Sequence, residues 1–188
     1  MSRKYKFHNK EAAYFTSFAT VYWIDVFTRQ CYFSVLEDSI NYCRKEKGME
    51  VFAYCFMPSH VHLIFRSREE DPSGLLRDFK GYTARQLIRK IEENPQESRK
   101  EWLLWMFERA GKQNSNISKR QFWQQHNKPI ELWSDKVIKQ KMDYIHNNPV
   151  EQGFVTEAAD WKYSSAKNYA DDNTVLKIDN ENMHLGML

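Results

Sequence analysis

The chain has 188 residues, 41% hydrophobic and 28% charged with a net charge of +3, which suits a soluble single domain and is compatible with a nucleic-acid partner. No apolar run reaches the ~18 residues that a membrane span needs, and the opening MSRKYKFHNK is not an apolar signal segment, so we expect neither a membrane span nor a secretory signal. Three cysteines without a CxxC pair indicate reduced thiols, and we expect a cytoplasmic protein.

The first half of the chain predicts a strand, a helix and a β-hairpin. Aromatic and β-branched residues are concentrated near residues 13–23, as in a strand. Residues 32–47 place apolar side chains at helical spacing, and Gly48 follows them as a helix C-cap would. Residues 49–57 and 60–66 predict two strands joined by a tight turn that contains a proline.

The second half predicts two long helices on either side of an insertion. The first helix covers residues 71–93. Residues 94–125 are polar apart from the segment WLLWMF, which is typical of a core or an interface, and we expect a helical insertion with a mobile loop. A short strand near residues 129–133 precedes a helix of about 135–147, which Pro149 is expected to stop.

This order of elements predicts an α+β protein with a ferredoxin-like (βαββαβ) sandwich. Its antiparallel sheet carries helices on one face, and a C-terminal helix and the helical insertion are added to it. We expect one domain over residues 1–170 and a polar C-terminal tail over residues 171–188. In this layout the segment HVHLIF is the third strand, an inner strand of the sheet.

His60 and His62 are the residues that most directly suggest chemistry. Residues i and i+2 of a strand point to the same face, so the two imidazoles lie side by side. They could bind a divalent metal, or they could be two hydrogen-bonded histidines near a strand end. The HxHxH motif of histidine-triad nucleotide hydrolases fails at Ile64, and the HExxH and HxxEH motifs of zinc hydrolases do not occur.

Tyr144 is the second candidate, on the last predicted helix. Ile138, Met142 and Ile145 form the apolar stripe of that helix, and Tyr144 lies roughly 130° from the middle of the stripe. Asn148 follows one turn later on the same side of the helix. This position indicates that Tyr144 is not simply part of the core.

Two segments taken in order resemble the REP-associated tyrosine transposases, IS200-like members of the single-tyrosine HUH (His-hydrophobic-His) superfamily. The first is MPSHVHLIF, which contains His60 and His62, and the second is MDYIHNNPVEQGFV. The family's later motif is a tyrosine followed one helical turn on by NPV and a glycine, and Tyr144, Asn148 and Gly153 match it. YFTSFATV and DWKYSSAKNY are similar to the family's first strand and last segment, so the resemblance spans residues 5 to about 170.

The resemblance implies a strand transferase acting on single-stranded or hairpin DNA. In this family a tyrosine oxygen attacks a phosphodiester to give a 5′-phosphotyrosine and a free 3′-OH, and the reverse step joins another 3′-OH without a nucleotide cofactor. By the match, Tyr144 is the nucleophile, and His60, His62 and Asn148 are the metal ligands. This neutral ligand set fits Mg²⁺ or Mn²⁺, with zinc as an alternative.

The resemblance also bears on partners. The family recognises palindromic repeats that fold into hairpins with single-stranded flanks. It implies a monomer rather than a homodimer, although other members of the superfamily dimerise through their sheets and exchange tyrosine helices. Tyr82, on a predicted helix beside basic residues, is an alternative nucleophile, whereas His146 is expected to be structural or exposed.

Single-strand binding sites combine cations for the backbone with aromatic platforms for bases. Phe122, Trp123 and Trp133 are candidate platforms, although core packing would explain them equally. The candidate DNA-binding cations, each of which could also be an ordinary solvated residue, are Arg3, Lys4, Lys6, Arg77, Lys80, Arg85, Arg89, Lys136, Lys139 and Lys141.

Two other functions remain open from the sequence. One is a domesticated, non-transposing protein that binds DNA hairpins, and the other is a metal-dependent hydrolase. A protein that only binds DNA has no need of His60, His62 and Tyr144 together, so the sequence favours the enzyme. The missing third histidine argues against the hydrolase.

Overall fold

Four strands form one antiparallel sheet in the part of the chain that the computed structural model describes, residues 6–114, 119–170 and 174–179. The strands are β1 (Tyr14–Ala19), β2 (Met49–Phe56), β3 (His60–Ser67) and β4 (Ile130–Glu131). Their order across the sheet is β2-β3-β1-β4, and each neighbouring pair is antiparallel. This arrangement confirms the predicted ferredoxin-like sheet, with β3 as an inner strand.

Five α-helices surround the sheet in the described residues. They are α1 (Gln30–Glu46), α2 (Pro72–Glu93), α3 (Lys100–Lys112), α4 (Asp135–Glu151) and α5 (Ala166–Ala170). The predicted insertion is therefore helical, and its loop residues 115–118 lie outside the described part. None of the helices in the described ranges is long and apolar enough to cross a bilayer.

Alternation along the strands sends apolar side chains to both faces of the sheet, and each face is covered by helix. Val61 and Leu63 pack with Leu36 of α1 and Leu76 of α2 in the larger core. Ile64 points the other way and packs with Ile145 of α4 in a smaller core. As predicted, α1 and α2 pack on the same face of the sheet, whereas α4 packs on the opposite face.

The first strand is shorter than expected. β1 ends at Ala19, and a 3-10 turn follows at Val21–Trp23. Thr20 closes this turn, because its hydroxyl donates to the carbonyl of Ile24 at 2.7 Å. The predicted strand end near residue 23 is therefore wrong, since a side-chain hydrogen bond competes with the strand ladder at this point.

The last long helix is longer than expected. Pro149 does not stop α4, which continues to Glu151. Proline removes one backbone donor, and the hydrogen bonds resume beyond it, where Gln152 N donates to Asn148 O at 3.1 Å. Gly153, with φ +74°, then terminates the helix in the left-handed conformation that glycine adopts readily. The prediction that Pro149 ends the helix is thus wrong by one turn.

The described part of the C-terminal tail, residues 174–179, packs against the domain. Leu176 is buried in the larger core. The backbone N–H of Asp179 donates to the carbonyl of Val51 at 2.8 Å, and the side-chain Oδ2 of Asp179 accepts from the Val51 N–H at 2.8 Å. Its carboxylate also pairs with Arg44 at 2.8 Å. The two bonds to Val51 satisfy its backbone groups at the edge of β2.

Candidate active site

Strand β3 carries His60 and His62 to the face of the sheet that α4 covers. Their ring centroids are 4.7 Å apart, and both side chains are buried. The register places Ala19 opposite His60 and Ser17 opposite His62 on β1. These small neighbours leave space above the sheet for the two imidazoles.

Helix α4 brings Tyr144 and Asn148 over the histidines. The ring of Tyr144 lies 5.1 Å from that of His62, measured between centroids. Asn148 Oδ1 lies 3.3 Å from His60 Nε2. Ile145 is fully buried and anchors the helix on the sheet, whereas Tyr144 remains 41% exposed. The structure therefore brings together all four residues predicted as nucleophile and metal ligands.

These residues line an open cavity of about 350 Å³. Its wall also includes Lys141, one of the predicted cations, and Trp23, Lys128 and Gln152, which are among the residues that the sequence analysis did not single out. A cavity of this size is within the range of small-ligand sites. It could accommodate a phosphate group with part of a nucleotide.

Both histidines are held in the neutral form. Burial lowers the pKa of His62 to about 3, and the charge of His60 acts in the same direction against a smaller opposing effect of the Asn148 amide. Burial also lowers the pKa of His60, opposed by its hydrogen bond with Asn148 and by the charge of Asp25. Neutral imidazole is the form that binds metals.

The hydrogen bonds of the site fit a divalent metal. His60 Nδ1 lies 3.2 Å from the Ser59 hydroxyl, which leaves Nε2 facing Asn148. Neither ring nitrogen of His62 has a well-formed hydrogen bond in the described structure, although both are buried. A buried nitrogen without a partner is costly, and a metal would satisfy it.

The ligand set would consist of two imidazoles and one amide. The described residues contain no group of three or more His, Cys, Asp or Glu side chains that could hold an ion. Asn148 Oδ1 accepts a hydrogen bond from Gln152 Nε2 at 3.0 Å, so its oxygen is oriented by a second side chain. His60, His62 and Asn148 are therefore the residues that could bind a metal in this cavity.

Lys141 is a cation that lies beside the candidate nucleophile. Its ammonium lies 5.8 Å from the centre of the Tyr144 ring and 5.1 Å from that of Phe15. Burial, and to a smaller extent the charge of Glu151, raises the pKa of Tyr144 above its ordinary value. The phenol is thus protonated at neutral pH, and a nearby positive charge favours its ionisation during attack.

The other predicted DNA-binding cations are distributed over both faces of the sheet. Lys136 and Lys139 are exposed on α4, and Lys6 is exposed before β1. Arg3 and Lys4 lie outside the described residues.

The four predicted cations of α2 lie on a helix that packs on the sheet face opposite the two histidines. Arg77, Arg85 and Arg89 are exposed there. Arg77 pairs with Asp78 at 3.3 Å, and Arg89 pairs with Glu93 at 2.9 Å. The structure does not bring these side chains to the cavity.

Lys80 differs from the other α2 cations because its ammonium points into the protein. It donates to the carbonyl of Gln124 at 2.8 Å and to Asn127 Oδ1, and it lies 5.1 Å from the centre of the Phe18 ring. Burial lowers its pKa to about 7. Lys80 therefore forms a structural contact between α2 and the segment that precedes β4.

The remaining aromatic candidates and His146 lie in different environments, some buried and some exposed. Phe122 and Trp123 are buried in the larger core, whereas Trp133 is 75% exposed just before α4. Tyr82 lies on α2, across the sheet from the histidines. His146, expected to be structural or exposed, has its Nε2 2.9 Å from the Ser165 hydroxyl, and burial lowers its pKa to about 4.

The cavity residues that the sequence analysis missed differ in whether the sequence contained a pattern that could have identified them. Gln152 follows Asn148 by one helical turn, so helical spacing could have identified it if the helix had been extended past Pro149. Trp23 and Lys128 have φ values of +56° and +42°. Positive φ at such residues is uncommon and has no sequence signature, so their positions depend on the folded turns.

Comparisons with known proteins place the chain among transposases. The family model described as "Transposase IS200 like" matches residues 10–106, which include both histidines and end before α4. A Haemophilus influenzae protein that carries the name of a REP-associated tyrosine transposase is 30% identical over 139 residues, covering 70% of this chain and 71% of that protein.

Among solved structures, one of a REP-associated tyrosine transposase bound to a REP hairpin is similar, with a TM-score of 0.65 and 18% identity. The match covers 100% of this chain and 98% of that one. At this identity the likeness establishes a shared fold.

Proposed function

The chain belongs to the IS200-like transposase family, and we propose that it is a metal-dependent strand transferase that cleaves and rejoins single-stranded hairpin DNA. One observation carries this proposal. Tyr144 lies beside His60 and His62 in a single open cavity, and Asn148 completes a possible metal site one helical turn away. A nucleophile and a metal site sharing a cavity are what phosphodiester transfer needs.

His60, His62 and Asn148 would hold the divalent ion, Mg²⁺ or Mn²⁺ in this proposal. When bound, such an ion polarises the scissile phosphate and stabilises the departing 3′-oxygen. The buried, neutral histidines support this role, as do the unpaired ring nitrogens of His62.

Tyr144 would form the covalent link. Its phenolic oxygen bonds to the scissile phosphorus while the bond to the 3′-oxygen breaks, which gives a 5′-phosphotyrosine and a 3′-OH. The phenolic proton leaves to water during this attack and the departing 3′-oxygen takes up a proton to become the 3′-OH, and the positive charge of Lys141 beside the ring favours the loss of the phenolic proton. The reverse reaction with a different 3′-OH joins two strands and restores the phenol.

The DNA would approach the open side of the cavity. Lys128 and Lys141 line this cavity, and Lys136 and Lys139 extend the positive charge along α4. A hairpin substrate is suggested by the similar solved structure, which is bound to a REP hairpin.

The three cysteines form no disulfide, which supports the expected cytoplasmic location.

A covalent-adduct assay tests the proposal. The protein is incubated with Mn²⁺ or Mg²⁺ and single-stranded hairpin oligonucleotides, taken from palindromic repeats near its gene, and then denatured. We expect a stable protein–DNA band from the wild type and none from Tyr144→Phe, which should bind the DNA within about threefold of the wild type because only a hydroxyl is lost. The variant with both His60→Ala and His62→Ala should lose the metal-dependent band.

Tyr82→Phe is the matched control, since it removes the same hydroxyl from the opposite side of the sheet, and its band should remain. A band from Tyr144→Phe would show that the nucleophile is wrong. Tight hairpin binding without any band from the wild type would favour the non-transposing DNA-binding protein. Metal-independent cleavage by the double histidine variant would remove the metal from the mechanism.

A further inference from the structure

Trp23 is an exposed aromatic residue at the candidate active site. Among the exposed large aromatic side chains of the described residues, only Trp23 and Tyr144 line the cavity. Tyr144 is already assigned a role, whereas Trp23 is 57% exposed and has none. Its exposure excludes the usual explanation of a tryptophan as a core residue.

The backbone at Trp23 adopts a conformation that side chains rarely take. Tyr22 and Trp23 both have φ +56°. The surrounding structure enforces this turn, because Thr20 N donates to the carbonyl of Ser59 at 2.9 Å and the Thr20 hydroxyl donates to that of Ile24 at 2.7 Å. Strain of this kind is concentrated at functional sites, and here it gains little burial for the indole.

The turn places the indole at one end of a row of rings. Ring centroids are 5.4 Å apart from Trp23 to His60, 4.7 Å from His60 to His62, and 5.1 Å from His62 to Tyr144. The indole and the His60 imidazole are inclined at 66°, so the two rings are not stacked on each other. Because 57% of the Trp23 side chain is exposed, the indole remains accessible beside the candidate metal ligands.

We propose that Trp23 is a stacking platform for an unpaired nucleobase next to the scissile phosphate. This inference rests on the proposed function, because it takes the phosphate to lie between Tyr144 and the two histidines. The attached nucleoside then extends along the row of rings to the indole. Every base has a π-face, so the platform positions the strand and is tolerant of base identity.

A double-mutant cycle between protein and DNA tests this role. Adduct formation is measured for the wild type and Trp23→Ala on oligonucleotides in which each unpaired nucleotide near the cleavage point is replaced in turn by an abasic one. We expect Trp23→Ala and one abasic position each to slow the reaction about tenfold. Their combination should be no slower than either alone, since both remove the same contact.

Ring-retaining and glycine variants separate stacking from folding. Trp23→Phe keeps an aromatic face and should stay within about threefold of the wild-type rate. Trp23→Gly suits φ +56° and should melt at or above the temperature of Trp23→Ala while reacting equally slowly. Tyr42→Ala, on α1 with the same 57% exposure, should react as the wild type does.

Two outcomes would overturn the platform. One is a Trp23→Ala variant that reacts at the wild-type rate. The other is a Trp23→Ala variant whose loss of rate combines multiplicatively with the loss at every abasic position, so that no position is coupled to Trp23. If the wild type binds the oligonucleotides without forming an adduct, the proposed function fails. The double-mutant cycle is then measured on the Kd values for oligonucleotide binding instead of on reaction rates. Coupling in Kd then supports the platform and its absence overturns it, whereas no binding at all overturns both proposals.

Discussion

The side-chain oxygen of Asn148 is shared between two neighbours. It lies 3.3 Å from His60 Nε2 and accepts a hydrogen bond from Gln152 Nε2 at 3.0 Å. Gln152 follows the last residue of α4, so its backbone is held by the end of the helix. A donor at this position turns the Asn148 oxygen toward the histidines, and partners of metal ligands commonly raise the affinity of a metal site.

Gln152→Ala is therefore expected to weaken Mn²⁺ binding about tenfold, because the Asn148 amide would lose its orientation. Isothermal titration of the DNA-free protein with Mn²⁺ measures this Kd directly. Gln140→Ala removes the same amide from an exposed position on α4 and serves as the control. Equal Kd values for the two variants would show that Gln152 does not position Asn148.

At the scale of elements, the connection between α2 and α3 depends on one buried carboxylate. Glu97 is 4% exposed. It pairs with Arg29 at 3.4 Å and Arg99 at 3.1 Å, and it accepts a hydrogen bond from the Tyr32 hydroxyl at 3.1 Å. These contacts join the connection to α1 and to the segment that precedes it.

The same connection bears on the cavity. It fixes the start of α3, and the residue after α3, Gln113, accepts a hydrogen bond from the Tyr22 hydroxyl at 3.0 Å. Tyr22 belongs to the turn that presents Trp23. A packing contact far from the histidines thus contributes to the geometry of the site.

Glu97→Gln is expected to lower the free energy of unfolding by about 2 kcal/mol at pH 7, since it leaves two partly exposed arginines without their partner. Burial by itself would raise the pKa of Glu97, but the hydrogen bonds and charge of Arg99 outweigh burial and hold the pKa below its ordinary value of 4.5. A lowered pKa gives stabilisation that is complete above pH 4.5 and is lost as the pH falls through the folded-state value.

Urea unfolding of the wild type and Glu97→Gln at pH 7 and near pH 3.5 measures this difference, which should shrink at the lower pH. Glu93→Gln is the control, because the Glu93 side chain is 63% exposed in its pair with Arg89 and should contribute about 0.5 kcal/mol or less. A difference independent of pH would contradict a charged Glu97.

At the scale of the whole molecule, one chain supplies every residue of the candidate site. Tyr144 and His62 face each other across 5.1 Å within the same chain, and α4 is anchored on its own sheet by the buried Ile145. A second chain is not needed to complete the cavity. The expected monomer stays a prediction.

Mixing two inactive variants should therefore not restore activity. Tyr144→Phe retains the histidines, and the variant with His60→Ala and His62→Ala retains the tyrosine, so an exchange of helices between chains would rebuild one intact site. We expect no covalent adduct from the mixture, together with the mass of a monomer by light scattering. Recovery of a substantial part of the wild-type signal would establish a site shared between two chains.

The sequence by itself determined the sides of elements on which the candidate residues lie. The two-residue period of a strand puts His60 and His62 on one face, and the helical period puts Tyr144 away from the stripe of Ile145. The order of strands and helices predicted the sheet, because short antiparallel connections leave few alternatives. The family was also predicted correctly from the two motifs, while the roles of the site residues stay predictions.

Only the tertiary structure decided which of these sides face one another. It placed α2 and its arginines across the sheet from the histidines, turned Lys80 inward, and brought Gln152 and Trp23 to the cavity. A period in the sequence fixes the direction of a side chain relative to its own element. Contacts between elements, and turns with positive φ, depend on packing between residues far apart in the chain, which no local pattern encodes.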